Sequence, residues 1–204
     1  MSQKVLLREY FSLCPDGSCR VDLLTEQEKK LKNDGKIILS GILQRANAKN
    51  GNKRVYAREI LQREDRNYQK LINENRALGE CDHPDSEIVN LKNASHVIKR
   101  TFWDGDDLYG IIQVLSTPSG KILEALVNDG VMLGISSRGL GSVTESKNGT
   151  MVNDDFILVA YDIVSDPSTE GAFMRLNESK LREKDVLTRA DRIYRSLNTI
   201  LEKK

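Results

Sequence analysis

One segment constrains this chain more than any other: Gly134-Ile135-Ser136-Ser137-Arg138-Gly139-Leu140-Gly141-Ser142. Its apolar content reads as strand, within a strand spanning Met132 to Thr144, yet it is studded with glycines. Glycine inside a strand marks a place where another backbone comes close. Neighbouring strand residues point to opposite faces, so Ser136 and Ser137 cannot share one role. Spacing alone does not choose between them.

A second segment, Gly79-Glu80-Cys81-Asp82-His83-Pro84, complements the first. The chain holds two histidines, so an imidazole acting near neutral pH must be His83 or His96. Pro84 restricts the backbone of His83 and so helps to fix its ring. A serine hydroxyl becomes a good nucleophile when a neighbouring base takes its proton, and histidine is the commonest base. The two segments together imply a serine hydrolase. No Gly-x-Ser-x-Gly elbow is present, which argues against an esterase of the α/β-hydrolase type.

The rest of the chain reads as α+β. Residues 4–12 form an opening strand and 14–35 are polar and turn-rich. Lys36 to Ala46 is a strand, and Ala57 to Asn75 a helix with Ile60, Leu61, Tyr68, Leu71 and Ile72 on one face. Leu78 to Cys81, Ala94 to Thr101 and Leu108 to Leu115 are short strands, the last two joined through an Asp104-Gly105 hairpin. Thr117-Pro118 starts a second helix, which should bury Ile122, Leu123, Leu126 and Val127 and stop at Gly130. Met151 to Val164 is a further strand. Residues 178–204 lack glycine and proline and carry a stripe from Val186 to Leu201. They read as an amphipathic C-terminal helix, with nine basic against five acidic residues over 171–204. The domain division expected is 1–175 for the catalytic unit and 176–204 for this basic helix.

Composition excludes several classes. With 31 basic and 30 acidic residues there is no excess of positive charge of the kind that nucleic acid requires. No stretch approaches the ~20 apolar residues that span a bilayer, and Arg8 and Glu9 interrupt the only candidate signal core. Three irregularly spaced cysteines fit a reducing cytoplasm. Cys14 and Cys19 flank a turn but lack a second ligand pair, so no metal or other cofactor is expected.

The two segments also resemble a family. With Asn50-Gly51-Asn52-Lys53-Arg54-Val55-Tyr56, Trp103-Asp104-Gly105, Leu108-Tyr109-Gly110 and Tyr161-Asp162-Ile163-Val164-Ser165-Asp166-Pro167-Ser168, they resemble the prohead maturation proteases of tailed phages, T-even type. The herpesvirus assemblins are a more distant likeness. The match runs in order over about residues 37–170, and several motifs in register are far more specific than one.

The resemblance implies a mostly antiparallel sheet forming a barrel-like core, closed or nearly so, with two internal helices and the C-terminal helix. It implies a serine endopeptidase with His83 as base, Ser136 as nucleophile and Asp162 as third member. His96 is the rival third member, since the assemblins use a second histidine, although theirs follows the serine. Asp82 is more easily a turn cap than a partner of the neighbouring ring. Arg138 and Gly139 are candidate backbone donors to the oxyanion. The family further implies cleavage after glutamate in apolar-x-Glu strings, action on scaffolding core and capsid proteins inside the prohead in the host cytoplasm, synthesis as a zymogen, and self-cleavage. Leu24-Thr25-Glu26, Leu176-Asn177-Glu178 and Ile200-Leu201-Glu202 are such strings, and Glu178 is the expected self-cleavage site. A homo-oligomeric ring is a further expectation. The competing class is a ring-forming structural module of the prohead without activity.

Overall fold

The computed structural model describes residues 5–8, 24–146, 149–169 and 172–176. Cys14, Cys19, Glu178 and the expected C-terminal helix lie outside the described residues. The described elements run β1 (Val5–Arg8), α1 (Glu26–Asn33), β2 (Ile38–Arg45), β3 (Arg54–Val55), α2 (Arg58–Asn73), β4 (Leu78–Glu80) and β5 (Ala94–Asp104). They continue β6 (Asp107–Val114), α3 (Pro118–Asn128), β7 (Leu133–Gly141), β8 (Val143–Ser146), β9 (Gly149–Val152), β10 (Ile157–Val164) and β11 (Phe173–Leu176).

The fold is α+β, and its main sheet has eight strands in the order β1-β7-β11-β2-β6-β5-β4, with β10 also paired to β7. Every pairing in this sheet is antiparallel. A closed barrel is not found. β4 and β10 meet at one isolated bridge, Cys81 to Ile163, supported by the Asp82 N–H donating to the Ile163 carbonyl at 2.7 Å. The reason is local: β4 is three residues long, and Asp82 follows in the left-handed region at φ +60°. A chain turning there cannot extend a ladder along β10.

The stretch read as one strand over Met132–Thr144 is two. Ser142 is the pivot, its N–H and hydroxyl both donating to Asp155 Oδ1 at 2.9 and 3.0 Å. Beyond it β8 enters a separate three-stranded sheet, β3-β9-β8. Met151–Val164 breaks likewise at the Asn153–Phe156 turn, between β9 and β10.

A helix that the polar composition of 14–35 concealed is α1, so the described helices number three and the two expected internal helices are α2 and α3. A capping box starts α1: the Glu28 N–H donates to Thr25 Oγ1, and the Thr25 N–H donates to Glu28 Oε2 at 2.7 Å. α2 buries Ile60, Leu61 and Tyr68, following its apolar stripe. α3 begins at Thr117 and Pro118 as the sequence indicates, and Gly130 follows its end at φ +76°. Leu123 is buried by α3, but Ile122 is 59% exposed.

The larger core lies between the sheet and the helices, with Leu39, Leu43, Ile98, Leu108, Ile112, Ile135, Tyr161 and Ile163 among its members. From β7 and β10 it takes Leu133, Ile135, Tyr161 and Ile163. The even-numbered residues Ser136, Arg138 and Asp162 therefore leave the other face of the same two strands.

Candidate active site

Ser136 and Asp162 are register partners across β7 and β10, so their side chains emerge side by side. His83 follows β4 and the left-handed turn at Asp82, which carries its ring back over β10. There His83 Nδ1 lies 2.9 Å from Asp162 Oδ2. An ionised carboxylate only accepts, so Nδ1 carries the proton and Nε2 is the nitrogen with a lone pair. That is the tautomer a general base needs.

Asp162 is saturated with donors. Oδ1 accepts from the Glu80 N–H at 3.1 Å and from Arg138 Nη2 at 3.2 Å. Oδ2 accepts from His83 Nδ1 and from Arg138 Nε, the latter at 2.7 Å. Burial pushes its pKa up, but the His83 bond, the Arg138 bonds and the Arg138 charge outweigh burial and hold the carboxyl below its ordinary value. Arg138 also reaches Glu80 Oε1 at 3.1 Å and the Ser86 carbonyl at 2.5 Å. Ser136, Arg138, Asp162 and Glu80 are each fully buried, and the His83 side chain is 1% exposed. Among the described residues the Ser136 hydroxyl has no hydrogen-bond partner. Nucleophile–base bonds are often loose in the absence of substrate.

A cavity of about 310 Å³ opens beside the Cys81–Asp82 turn, lined by none of the five cluster residues. Cys81, Asp82, Leu123, Leu126, Leu133 and Ile163 line it, and the exposed Ile122, Val131 and Met132 stand around it.

Comparison with known proteins bears on what this cluster does. A profile described as the prohead core protein serine protease matches residues 15–184. The chain belongs to that family. It is also similar to the prohead core protein protease of Enterobacteria phage T4, 35% identical over 178 residues that cover 82% of each chain. A solved structure, the bacteriophage T4 capsid assembly protease, matches at a TM-score of 0.66 and 29% identity, covering 81% of this chain and 100% of that one. The family is one of proteases, and capsid assembly is the setting that its names give.

Within this family member the other expected residues fall as follows. His96 is fully buried on β5, where its Nε2–H donates to the Tyr161 carbonyl at 3.0 Å and Nδ1 accepts from Ser95 Oγ at 2.9 Å. Burial lowers its pKa to about 4, against which the Asp162 charge and the Tyr161 bond act only in part. Both its nitrogens are engaged away from His83. Ser137 faces the core side with Tyr161 as its register partner. Asp82 is exposed, at the turn.

Arg138 is not the surface ion pair that a lone arginine would usually be; its guanidinium is wholly committed to the cluster. As a backbone donor it stands, with Gly139, inside the β7 ladder between β10 and β1. Gly139 is required by packing there, since a Cβ would stand 2.4 Å from the Phe156 ring. Glu80 escaped the sequence reading as a site residue. Its signal was a carboxylate in an otherwise apolar three-residue strand, three positions before His83. No group of His, Cys, Asp or Glu suited to a metal occurs among the described residues, and no described helix is long and apolar enough to cross a membrane.

Proposed function

We propose that this chain is a serine endopeptidase of phage prohead maturation, with Ser136 as nucleophile, His83 as general base and Asp162 as the group that orients it. The observation that carries the reading is the 2.9 Å bond between His83 Nδ1 and Asp162 Oδ2, with Ser136 beside Asp162 on the same face of the sheet. In acylation Ser136 Oγ attacks the scissile carbonyl carbon, and its proton passes to His83 Nε2. The tetrahedral intermediate expels the amine, which takes that proton, leaving an acyl-enzyme. Water then attacks the acyl carbon with its proton going to His83, and the second intermediate releases the carboxylic acid by breaking its bond to Ser136 Oγ, which takes the proton back from His83. Asp162 stabilises the imidazolium present between these transfers. The oxyanion falls to main-chain donors near Ser136; the Arg138 and Gly139 N–H groups, held in the ladder between β10 and β1, could serve only if that ladder opened.

The substrates in this reading are scaffolding core and capsid proteins inside the prohead, cut after glutamate. Burial of Ser136 and of the His83 ring supports latency: a substrate enters only once whatever covers them has moved. Self-cleavage after Glu178 would release the basic segment that follows. The Glu26–Gln27 bond, by contrast, lies in the first turn of α1 beneath a capping box, and a protease needs extended chain.

The test is intact mass spectrometry of wild type beside Ser136→Ala and Ser137→Ala, sampled over hours at neutral pH. Truncation after Glu178 in wild type and Ser137→Ala, with Ser136→Ala uncut, is the expected result. An active wild type with an intact 178–179 bond sinks the self-cleavage site, and cutting of Ser136→Ala sinks the nucleophile.

A further inference from the structure

The loop that carries His83, residues 82–93, contains neither helix nor strand. Its large apolar side chains do not hold it down, since Ile88 is 76% and Leu91 73% exposed. A loop that buries so little has a low local stability unless polar contacts tie it. A base, however, must be held to within a fraction of an ångström.

Two of the ties lead to one buried pair. Arg138 Nη1 donates to the Ser86 carbonyl, and Glu80 Oε1 accepts from the Asn90 N–H at 3.0 Å. Arg138 Nη2 joins the two anchors by donating to that same Glu80 oxygen. The other edge of the guanidinium grips Asp162 through Nε and Nη2. One planar fork thus links β10, β4 and the loop. Only arginine presents rigid, coplanar donors that can do so; a lysine ammonium is a single point.

Such a pair is not explained by stability. Desolvating two charges costs about as much as their attraction returns, and well-packed apolar residues often serve as well or better. From the geometry we infer that Arg138 and Glu80 are positioning residues, a buried ion pair that staples the 82–93 loop at Ser86 and Asn90 and so presents His83 to Ser136. This rests on the proposed roles of His83 and Ser136. It replaces the view of Arg138 as chiefly an oxyanion donor with a task for its side chain.

The experiment compares wild type, Arg138→Lys and the double apolar variant Glu80→Leu/Arg138→Met. For each, the saturating rate of labelling by a fluorophosphonate, the half-saturating concentration, the thermal midpoint and the amide exchange of residues 82–93 are measured. Arg138→Lys should label about 10²-fold more slowly, the loss that a misplacement of about 1 Å brings. Its half-saturating concentration should stay within about threefold, and exchange across Ser86–Asn90 should quicken at least tenfold, by the local-opening argument. The double variant also strips Asp162 of its arginine, so its midpoint should fall, and at a temperature where it is folded it stays slow and unprotected across Ser86–Asn90. Labelling and loop exchange in the double variant within about threefold of wild type would overturn the inference. A wild type that does not label even after self-processing, or a Ser136→Ala that labels equally, would instead sink the proposed function. In that event loop exchange unchanged in both variants overturns the staple, and faster exchange supports it.

Discussion

Replacing Asp162 by asparagine exchanges one oxygen for an NH₂ at a site where four donors converge. Arg138 donates to both carboxylate oxygens, so either orientation of the amide sets its nitrogen against an arginine N–H. At the Oδ1 end it would also face the Glu80 N–H, a backbone donor that cannot change. At the Oδ2 end it would face His83, whose ring can move its proton to Nε2 and accept instead. The amide therefore takes the second orientation, and the imidazole is locked in the tautomer that cannot take a proton from Ser136. Such an inversion costs about 10⁴-fold in turnover. The fold pays as well, since a buried guanidinium loses one of its two carboxylate partners. Removing one partner of a buried pair costs about 3–5 kcal/mol, and Glu80 retains part of that. For a chain of this size that is a fall of roughly 6–20 °C in melting temperature. The assay is fluorophosphonate labelling at a temperature where circular dichroism shows both proteins folded. A folded Asp162→Asn that labels within tenfold of wild type would refute the tautomer argument.

Two further outcomes follow from buried groups. His96 has its folded pKa lowered from 6.5 to about 4, so the unfolded chain binds a proton that the folded one refuses between those values. Stability is then full above pH 6.5 and is lost as pH falls toward 4, by about 3 kcal/mol in total. Asp162 does not contribute to that loss: its folded pKa is depressed, so its share persists above the unfolded carboxyl value of 3.8 and goes only below it. Urea midpoints from pH 7.5 to 4.2 measure this, and a flat profile would contradict the burial of neutral His96. Gly79→Ala should destabilise by about 1–3 kcal/mol, as overpacking does. A Cβ there would stand 2.0 Å from the Tyr161 carbonyl and 2.4 Å from the His96 ring, and the first is backbone. An unchanged chemical-denaturation midpoint for Gly79→Ala would show that β4 and β10 can separate freely.

Most elements were legible because their signals are local. The Thr117-Pro118 start of α3, the stripe of α2 and the Asp104-Gly105 hairpin each lie within a few residues of chain. The α1 helix was local too, in Thr25-Glu26-Gln27-Glu28, but its polar composition hid it. Glu28 is buried there because Arg100, from β5, meets it at 2.9 Å, a partner 72 residues away. Ile122 shows the converse: periodicity assigned it to the core, but the α3 face that β5 and β6 cover ends before it.

By itself, the chain determined the α+β class, most of its strands and helices, and the short stock of residues able to do acyl-transfer chemistry: two histidines and an adjacent pair of serines. Those are properties of composition and of neighbours in sequence. Tertiary structure decided what depends on residues far apart meeting in space. It set Ser136 opposite Asp162 through the register of β7 on β10, sent His96 into the core, and left the sheet joined at Cys81 and Ile163 by one bridge. It also gathered Glu80, Arg138 and Asp162 from three strands into one buried cluster, whose charges are tolerable only because each meets another there.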